Sequence, residues 1–248
     1  MSHVRSDTLP DAEVERALVV VAHPDDVDFG AAGTVATWTD AGIEVTYAIV
    51  TDGDAGGSDR SVSRAEVREI RHREQRAAAA VVGVSDVRFL GYPDGALEET
   101  RELRRDLARV IRQVRPRRAV VQTPEWNLQF FQAACHPDHQ HAGAAALRAI
   151  YPDARNPFAF PELLDAEGLE PWSVAEVWVL ATAHPDHGVD VTATMDRKLA
   201  ALACHVSQLP QGIDGVGPMM RSMSARWAAQ QGFGDGALAE QFEVVTLR

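Results

Sequence analysis

Short runs of β-branched and aliphatic residues alternate along this chain with longer segments in which apolar side chains recur at helical spacing. This alternation is typical of βαβ units, in which consecutive strands lie parallel and the connecting helices cover both faces of the sheet. The pattern therefore predicts an α/β fold with a mostly parallel sheet. It predicts strands at residues 18–22, 45–50, 87–90, 119–122 and 174–180, and helices at residues 31–41, 64–82 and 98–114.

Two further segments follow the last of these strands. Residues 210–218 contain three glycines between two prolines, and we interpret them as a loop. Residues 192–207 predict another amphipathic helix, because apolar side chains recur on one face. These side chains are Met195, Leu199, Leu202 and Val206.

The chain has 248 residues, of which 46% are hydrophobic, and this is enough for one large core. We expect a single domain over residues 1–248. The polar stretch 1–16 precedes the first apolar run, and we expect it to be a poorly ordered N-terminal segment.

Acidic residues outnumber basic ones, 36 against 24, which gives a net charge of -12. This charge repels polyanions and no basic stripe offsets it, so we expect no nucleic-acid partner. The N-terminal residues lack the apolar core of a signal peptide or membrane segment. Cys135 and Cys204 are too few for a disulfide framework. We therefore expect a cytoplasmic protein that does not bind membranes.

Three ionisable residues, His23, Asp25 and Asp26, follow the first predicted strand within four positions. Ligands bind at the carboxyl ends of the strands in an open parallel sheet, so a site is expected in this loop. A tight turn at Pro24 can bring His23 and Asp26 to one point, and an imidazole with a carboxylate suits zinc. Each residue taken alone could equally be a turn former or a surface residue. A dinucleotide site is excluded because no G-x-G-x-x-G follows the strand.

A second histidine-rich segment can supply the third ligand that a catalytic zinc usually takes. Residues 135–141 read C-H-P-D-H-Q-H and follow the predicted strand 119–122. We favour His139 as the ligand, at the expected start of a helix. His136 would then remain free, with Asp138 beside it to orient its ring.

The tetrapeptide H-P-D-H occurs twice, at residues 136–139 and 184–187, so its spelling alone does not identify the ligand. The first copy leads into the Ala-rich segment 141–150, whose helix can hold His139 rigidly. The second copy follows the predicted strand 174–180. We expect it to lie at the rim of the site or in a solvated loop.

The sequence A-H-P-D-D-V-D-F-G at residues 22–30, together with H-P-D-H at residues 136–139, resembles the LmbE-like or PIG-L family of zinc-dependent N-deacetylases. Each short motif is weak alone, but the ordered set is specific and extends over most of residues 18–208. Some members have a tyrosine two residues before H-P-D-H, where this chain has Ala134. The supporting matches are Thr51-Asp52-Gly53, Arg71-x-x-Glu74, Val82-Gly83-Val84, Tyr92-Pro93-Asp94-Gly95, and Lys198 through His205-x-Ser207-Gln208.

The resemblance implies a Rossmann-like fold and the removal of an N-acetyl group from an N-acetylglucosaminyl-type conjugate, which would be a small-molecule partner. It implies one zinc ion per chain, bound by His23, Asp26 and His139. It also implies that Asp25 is the general base that takes a proton from the attacking water.

The resemblance assigns roles to His136, Arg71 and Asp94, and the proposed mechanism adds one for Asp138. Protonated His136 would assist at the oxyanion or at the leaving amine, with Asp138 stabilising its charge. Arg71 and Asp94 match positions that resemble substrate-contacting residues, and they would clamp the sugar.

Two alternatives remain at this level. Within the enzyme class, the chain could cleave a larger amide, as in amidases of sugar-thiol conjugates. Outside that class, it could be a non-catalytic metal- or sugar-binding module, for which Asp25 would be dispensable. The sequence also allows iron in place of zinc, and a homo-oligomer in place of a monomer.

Overall fold

A seven-stranded sheet forms the centre of the computed structural model, which describes residues 8–57 and 59–247. The strand order is β3-β2-β1-β4-β5-β7-β6, and the first five strands along the chain are parallel to their neighbours among those five. These five correspond to the five predicted strands. The strands are β1 Arg16–Val21, β2 Glu44–Thr51, β3 Asp86–Tyr92, β4 Arg118–Gln122, β5 Glu176–Leu180, β6 His187–Asp190 and β7 Ala239–Thr246.

Helices cover both faces of the sheet, as the sequence predicts. Alternate residues of β1 point to opposite faces, so Leu18 and Val20 belong to one buried cluster and Val19 and Val21 to the other. The helices are α1 Asp26–Gly30, α2 Ala32–Asp40, α3 Arg64–Val81, α4 Arg101–Val114, α5 Phe131–Ala134, α6 Pro137–Arg148, α7 Pro161–Asp165, α8 Met195–Ala203 and α9 Gly212–Gln230.

The two buried clusters assign the helices to the faces. Leu18 and Val20 pack with side chains of α4 and α6, such as Leu107 and Ala145. Side chains of α2, α3 and α8 lie in the other cluster with Val19 and Val21. The α/β class and the mostly parallel sheet are therefore confirmed.

The interpretation of residues 210–218 as a loop is wrong, because α9 begins at Gly212 and includes Pro218. Glycine and proline each destabilise a helix interior, but packing against the rest of the molecule can outweigh these preferences. One face of α9 is buried through Met220, Ser224 and Ala228. The predicted helix 192–207 is shorter than expected: it ends at Ala203.

The segment before β1 contacts the opposite end of the sheet from the predicted site. Residues 1–7 lie outside the described residues. Residues 11–13 form a 3-10 helix, and the buried Arg118 side chain donates to Asp11 at 2.6 Å and to the Leu9 carbonyl at 2.7 Å. The expectation of poor order over residues 1–16 therefore does not hold for this part.

The sheet order places two loops side by side at its carboxyl edge. β1 lies between β2 and β4. The connection after β1 therefore runs to one side of this strand, and the chain later crosses to form β4 on its other side. Such a point is where α/β sheets bind ligands. The loops after β1 and β4 carry the two histidine segments that the sequence singles out.

Within the described part of the chain, the structure has no helix long and apolar enough to cross a membrane.

Candidate metal centre and active site

Three potential metal ligands converge between β1, α1 and α6. The His23 Nδ1 and His139 Nε2 atoms are 3.0 Å apart. Asp26 completes a triangle, with one carboxylate oxygen 3.2 Å from His139 Nε2 and the other 3.5 Å from His23 Nδ1. Tetrahedral zinc with bonds of about 2.0–2.1 Å separates its ligand atoms by about 3.3 Å. The three residues therefore lie close enough together to share one divalent metal ion.

Hydrogen bonds fix which nitrogen each histidine offers. His139 Nδ1 lies 2.6 Å from the Ala133 carbonyl, and His23 Nε2 lies 3.1 Å from carboxylate oxygens of both Asp94 and Asp138. Carbonyl and carboxylate oxygens only accept, so these two nitrogens carry the protons. In neutral rings each of the two facing nitrogens then carries a lone pair, and either a proton or a metal cation between them relieves the repulsion. The donor set fits a divalent metal.

The surroundings of His23 are strongly negative. Burial opposes the charged imidazolium, but hydrogen bonds to Asp138, Asp26 and Asp94 outweigh burial and raise the pKa of His23 to about 12. Burial of Asp94 acts to raise the pKa of this carboxyl. Its hydrogen bond to His23 opposes that effect and helps to lower the pKa of Asp94 to about 2. The carboxylates thus create a field that favours a positive charge at this point.

Asp138 lies in a different place from the one expected. Its carboxylate accepts from the backbone N–H groups of Gly95 at 2.7 Å and Leu97 at 3.2 Å, and it contacts His23 rather than the His136 ring. The reason is that α6 begins at Pro137, so the Asp138 side chain in its first turn points towards the loop after β3. Asp138 therefore contacts His23 and, with His23 and Asp94, forms a second group of potential metal ligands.

His136 stands beside the cluster as the N-cap residue of α6. One ring nitrogen each of His23, His136 and His139 lies within 4.8 Å of the others. The Nδ1 atom of His136 accepts from the Asp138 N–H at 3.2 Å, which leaves Nε2 as the proton-bearing atom of the neutral His136 ring. Burial, followed by the charges of the neighbouring imidazoles, lowers the pKa of His136. These surroundings favour the neutral form, in contrast to the protonated form expected from the sequence.

Asp25 lies outside the triangle, as the sequence predicts, and lines the same cavity as Asp26 and His139. Its backbone has a φ of 95°, a left-handed conformation that is strained for a residue with a side chain. The Asp25 N–H donates to Gln75 Oε1 at 2.7 Å and stabilises this turn. Burial raises the pKa of Asp25 to about 6, although the Arg71 cation opposes the rise.

Arg71 is committed to the protein itself. It is 4% exposed, and it donates to the carbonyls of Gly53, at 3.0 Å, and Pro24, and to the Asp25 carboxylate at 3.1 Å. A Cβ at Gly53 would lie 2.7 Å from the guanidinium, which explains the glycine in the Thr51-Asp52-Gly53 motif. Arg71 was predicted to clamp the sugar, but it lies behind Asp25 and its hydrogen bonds go to the protein itself. Asp94, the other predicted clamp, is 8% exposed and contacts His23.

A polar network, buried at Asp28 and His205 and exposed at Ser207, connects two further family motifs to this loop. Gln75 donates to Asp28 at 2.9 Å, and His205 Nε2 lies 2.8 Å from the same carboxylate oxygen. Glu74 accepts from the backbone and hydroxyl of Ser207 at 2.8 and 2.6 Å. Gln75 is the link that sequence reasoning missed, because a glutamine within a helix gives no signal of its own.

The second H-P-D-H copy lies away from the triangle. His187 begins β6, is 7% exposed, and stacks edge-on against Trp178 with ring centroids 4.7 Å apart. His184 is exposed, and its N–H donates to Thr182. The structure thus brings the first copy to His23 and places the second at the antiparallel edge of the sheet.

A cavity of about 600 Å³ opens onto Asp25, Asp26 and His139. Much of its wall comes from α9 and from the segment around α5. Sequence reasoning missed these residues because the start of α9 was interpreted as a loop, although the spacing of its apolar residues was a usable signal. Those residues are Met219, Met220, Met223 and Trp227.

Two histidines and a carboxylate, with a further carboxylate facing the same cavity, form the donor arrangement of metal-dependent hydrolases. Residues 18–150 match the family described as PIG-L, GlcNAc-PI de-N-acetylase. This match covers more than half of the chain, and the chain belongs to that family. The resemblance seen in the sequence motifs is confirmed.

Proteins with assigned activities are similar over most of the chain. The diacetylchitobiose deacetylase of Thermococcus kodakarensis is 35% identical over 204 residues, which cover 82% of this chain and 74% of that protein. The probable N-acetyl-α-D-glucosaminyl L-malate deacetylase 2 of Bacillus cereus is 33% identical, covering 77% and 82% of the two chains. Among solved structures, N,N'-diacetylchitobiose deacetylase from Pyrococcus horikoshii matches with a TM-score of 0.87 and 30% identity, over 96% of this chain and 86% of that one.

Proposed function

We propose that this chain removes the N-acetyl group from an amino-sugar substrate of the N-acetylglucosaminyl type, using one zinc ion held by His23, Asp26 and His139. The observation that carries the proposal is the convergence of His23, Asp26 and His139, whose donor atoms lie 3.0 to 3.5 Å apart, beside the Asp25 carboxylate, which Arg71 holds separately. The deacetylase activities named for its relatives support it.

An amide is a poor electrophile, and hydroxide is scarce at neutral pH. When bound, zinc would supply a Lewis acid that polarises the amide carbonyl and lowers the pKa of water. Asp94 and Asp138 hold His23 in the required tautomer, and the Ala133 carbonyl does the same for His139.

Asp25 acts as the general base in this proposal. It lines the cavity, and Arg71 and Gln75 hold it independently of the ligand triangle. Arg71 positions the carboxylate and Gln75 stabilises the strained backbone. His136 offers its Nε2–H as a hydrogen-bond donor to the developing oxyanion or to the leaving nitrogen.

Substitutions of the two adjacent carboxylates, Asp25 and Asp26, distinguish the general base from the metal ligand. We expect Asp26→Ala to lose the metal, whereas Asp25→Asn keeps it and loses about two to four orders of magnitude in turnover, the usual contribution of a general base. Metal content is measured by elemental analysis, and turnover by amine release from a panel of N-acetylglucosaminyl conjugates. The wild-type protein should contain one divalent ion per chain, lose activity to a chelator and regain it with zinc.

An Asp25→Asn protein with a near-normal rate would refute the assignment of the base. Two ions per chain, or none after purification with zinc present, would contradict the single-metal scheme. Reconstitution with ferrous iron in parallel identifies the preferred metal.

The proposed unit is the whole chain, residues 1–248, as one deacetylase domain. We place it in the cytoplasm, because Cys135 and Cys204 are free, as is usual in a reducing compartment.

A further inference from the structure

The cavity next to the metal centre is much larger than the group that the proposed reaction removes. Its volume is about 600 Å³, within the range of about 300–1,000 Å³ that holds a drug-sized ligand. An acetyl group contributes only one methyl beyond its carbonyl. Most of the cavity must therefore receive another part of the substrate, and this inference rests on the proposed function.

The wall of the cavity is mainly apolar. Met219, Met223 and Trp227 project from α9, and the Trp227 ring meets Phe130 edge-on with centroids 5.8 Å apart. Phe29 and Leu180 also line it. Methionine side chains adapt to irregular apolar groups because they are unbranched and polarizable. Such a wall favours alkyl or aryl groups.

Several polar side chains in the wall are already engaged. Gln122 accepts from the Ala22 N–H at 2.9 Å, and the Thr182 hydroxyl donates to Glu243 at 2.6 Å. Hydroxyl groups of a second sugar would meet paired atoms at Gln122 Oε1 and at the Thr182 hydroxyl, whereas Gln241 Oε1 in the same wall has no partner. An apolar group loses nothing at the two paired atoms and removes exposed apolar surface from water.

The apolar surface extends to the mouth of the cavity. Met219 is 55% exposed and Phe131 is 60% exposed, and both line the opening. Large apolar side chains left open beside a reactive centre mark a ligand-binding site. Because the wall is continuous with Asp25 and His139, a group bound in the cavity would lie next to the reacting amide.

We infer that this cavity binds an alkyl or aryl aglycone of the N-acetylated amino sugar, so that the preferred substrate is an apolar glycoside. The acyl group leaves as acetate. The sugar connects the reacting amide to the aglycone, which lies against α9.

The test compares two matched substrate series. N-acetylglucosaminides with methyl, butyl, octyl and phenyl aglycones are assayed by amine release below their micelle concentrations. We expect kcat/KM to rise about threefold to fourfold per buried methylene until the cavity is filled. The second series keeps a methyl aglycone and lengthens the N-acyl chain from acetyl to octanoyl, and we expect no rise. A rise in the second series with a flat first series would assign the cavity to a long acyl chain and overturn the inference.

A variant on α9 tests the wall directly. Met219→Asp should lower the octyl-to-methyl ratio of kcat/KM at least fivefold, because it places a charge against the alkyl chain. The matched control is Ala225→Asp, which adds the same charge to an exposed position of the same helix that does not line the cavity. The control should leave the ratio unchanged, and an equal fall in both variants would contradict the inference.

Two further measurements separate the possible failures. Calorimetry should show octyl glucoside binding at least tenfold more tightly than methyl glucoside to the wild-type protein, and less so to Met219→Asp. If no glycoside is deacetylated but this preference holds, only the proposed function fails. If deacetylation proceeds at equal rates and both glucosides bind equally, only the aglycone inference fails.

Sedimentation tests a different role for the apolar rim. If the wild-type protein is a dimer, Met219→Asp dissociates it and the substrate ratio is unchanged, the rim is a subunit interface instead.

Discussion

Identical tetrapeptides acquire different roles at the residue scale because their backbones run differently. In the first H-P-D-H copy, Pro137 occupies the first turn of α6, and His139 follows on the inner face of that helix. In the second copy, the chain enters the short strand β6, and His187 packs beneath Trp178. A histidine becomes a ligand only where another group fixes its tautomer and further donors face it. Within the described residues, only the first copy joins His23 in a cluster that could hold a metal.

This difference gives a prediction for two single substitutions. His139→Ala should abolish metal binding and turnover, because it removes one corner of the donor triangle. His187→Ala should keep the metal and cost about 1–3 kcal/mol of unfolding free energy, because it removes packing against Trp178. Elemental analysis, amine release and urea unfolding measure the three quantities. If His187→Ala strips the metal while His139→Ala retains it, the ligand has been assigned to the wrong copy.

At the element scale, the position of α6 decides whether His139 reaches the site. This helix lies directly against the end of β4 at Gly143, where an added Cβ would stand only 2.2 Å from the Gln122 carbonyl oxygen. The close approach requires glycine, since the obstructing atom belongs to the backbone and cannot rotate away. His139 lies one turn earlier on the same helix, so its location depends on this contact.

We therefore predict that Gly143→Ala pushes α6 away from β4. The expected result is a loss of about 1–3 kcal/mol of unfolding free energy from overpacking, together with weaker metal binding. Urea unfolding and competition with a chelator measure the two effects. Gly234→Ala is the control, because a Cβ there meets nothing within 4 Å and its φ is not positive. Equal metal affinity in the two variants would show that α6 does not set the ligand geometry.

At the scale of the whole molecule, a buried ion pair joins the C-terminal strand to the helices near the site. Lys198 of α8 pairs with Glu240 of β7, and both side chains are fully buried. Glu240 also accepts from the N–H groups of Gly33, at 3.1 Å, and Thr34, at 2.7 Å, at the start of α2. Lys198 donates to the Phe29 carbonyl at 2.7 Å. The lysine of the family motif thus stabilises the packing of α1, α2 and β7.

Removing one partner of such a pair leaves a buried charge without compensation. We predict that Lys198→Met costs about 3–5 kcal/mol of unfolding free energy, measured by urea denaturation with circular dichroism. Arg197→Met is the neighbouring control. Its ion pair with Asp40 is solvent-accessible, and such pairs contribute less than about 1 kcal/mol. Similar losses in the two variants would mean that the buried pair does not stabilise the fold.

Much of the site follows from local patterns in the sequence. The loop at His23 comes directly after an apolar run, and the longer segment that leads to His139 begins after another, at the end of β4. Parallel strands bring such segments to one edge of the sheet. The partners within the site could not be predicted in the same way. Asp138 was expected beside His136 because the two are close in sequence, but its carboxylate accepts from Gly95 and contacts His23. These hydrogen-bond partners lie 43 and 115 residues away along the chain, and their contacts depend on packing distances of a few ångströms, which no sequence period encodes.

The sequence by itself determined the parallel strands β1 to β5, the helices α2, α3, α4 and α6, and the edge at which the site lies. These features depend on the periodicity of apolar residues, and burial acts on that period directly. Only the tertiary structure decided that residues 212–230 form a helix and that β7 runs antiparallel. It also decided that α9 closes an apolar cavity beside Asp25. In α9, contacts with distant segments outweigh the local preferences of glycine and proline, and those contacts exist only once the chain is folded.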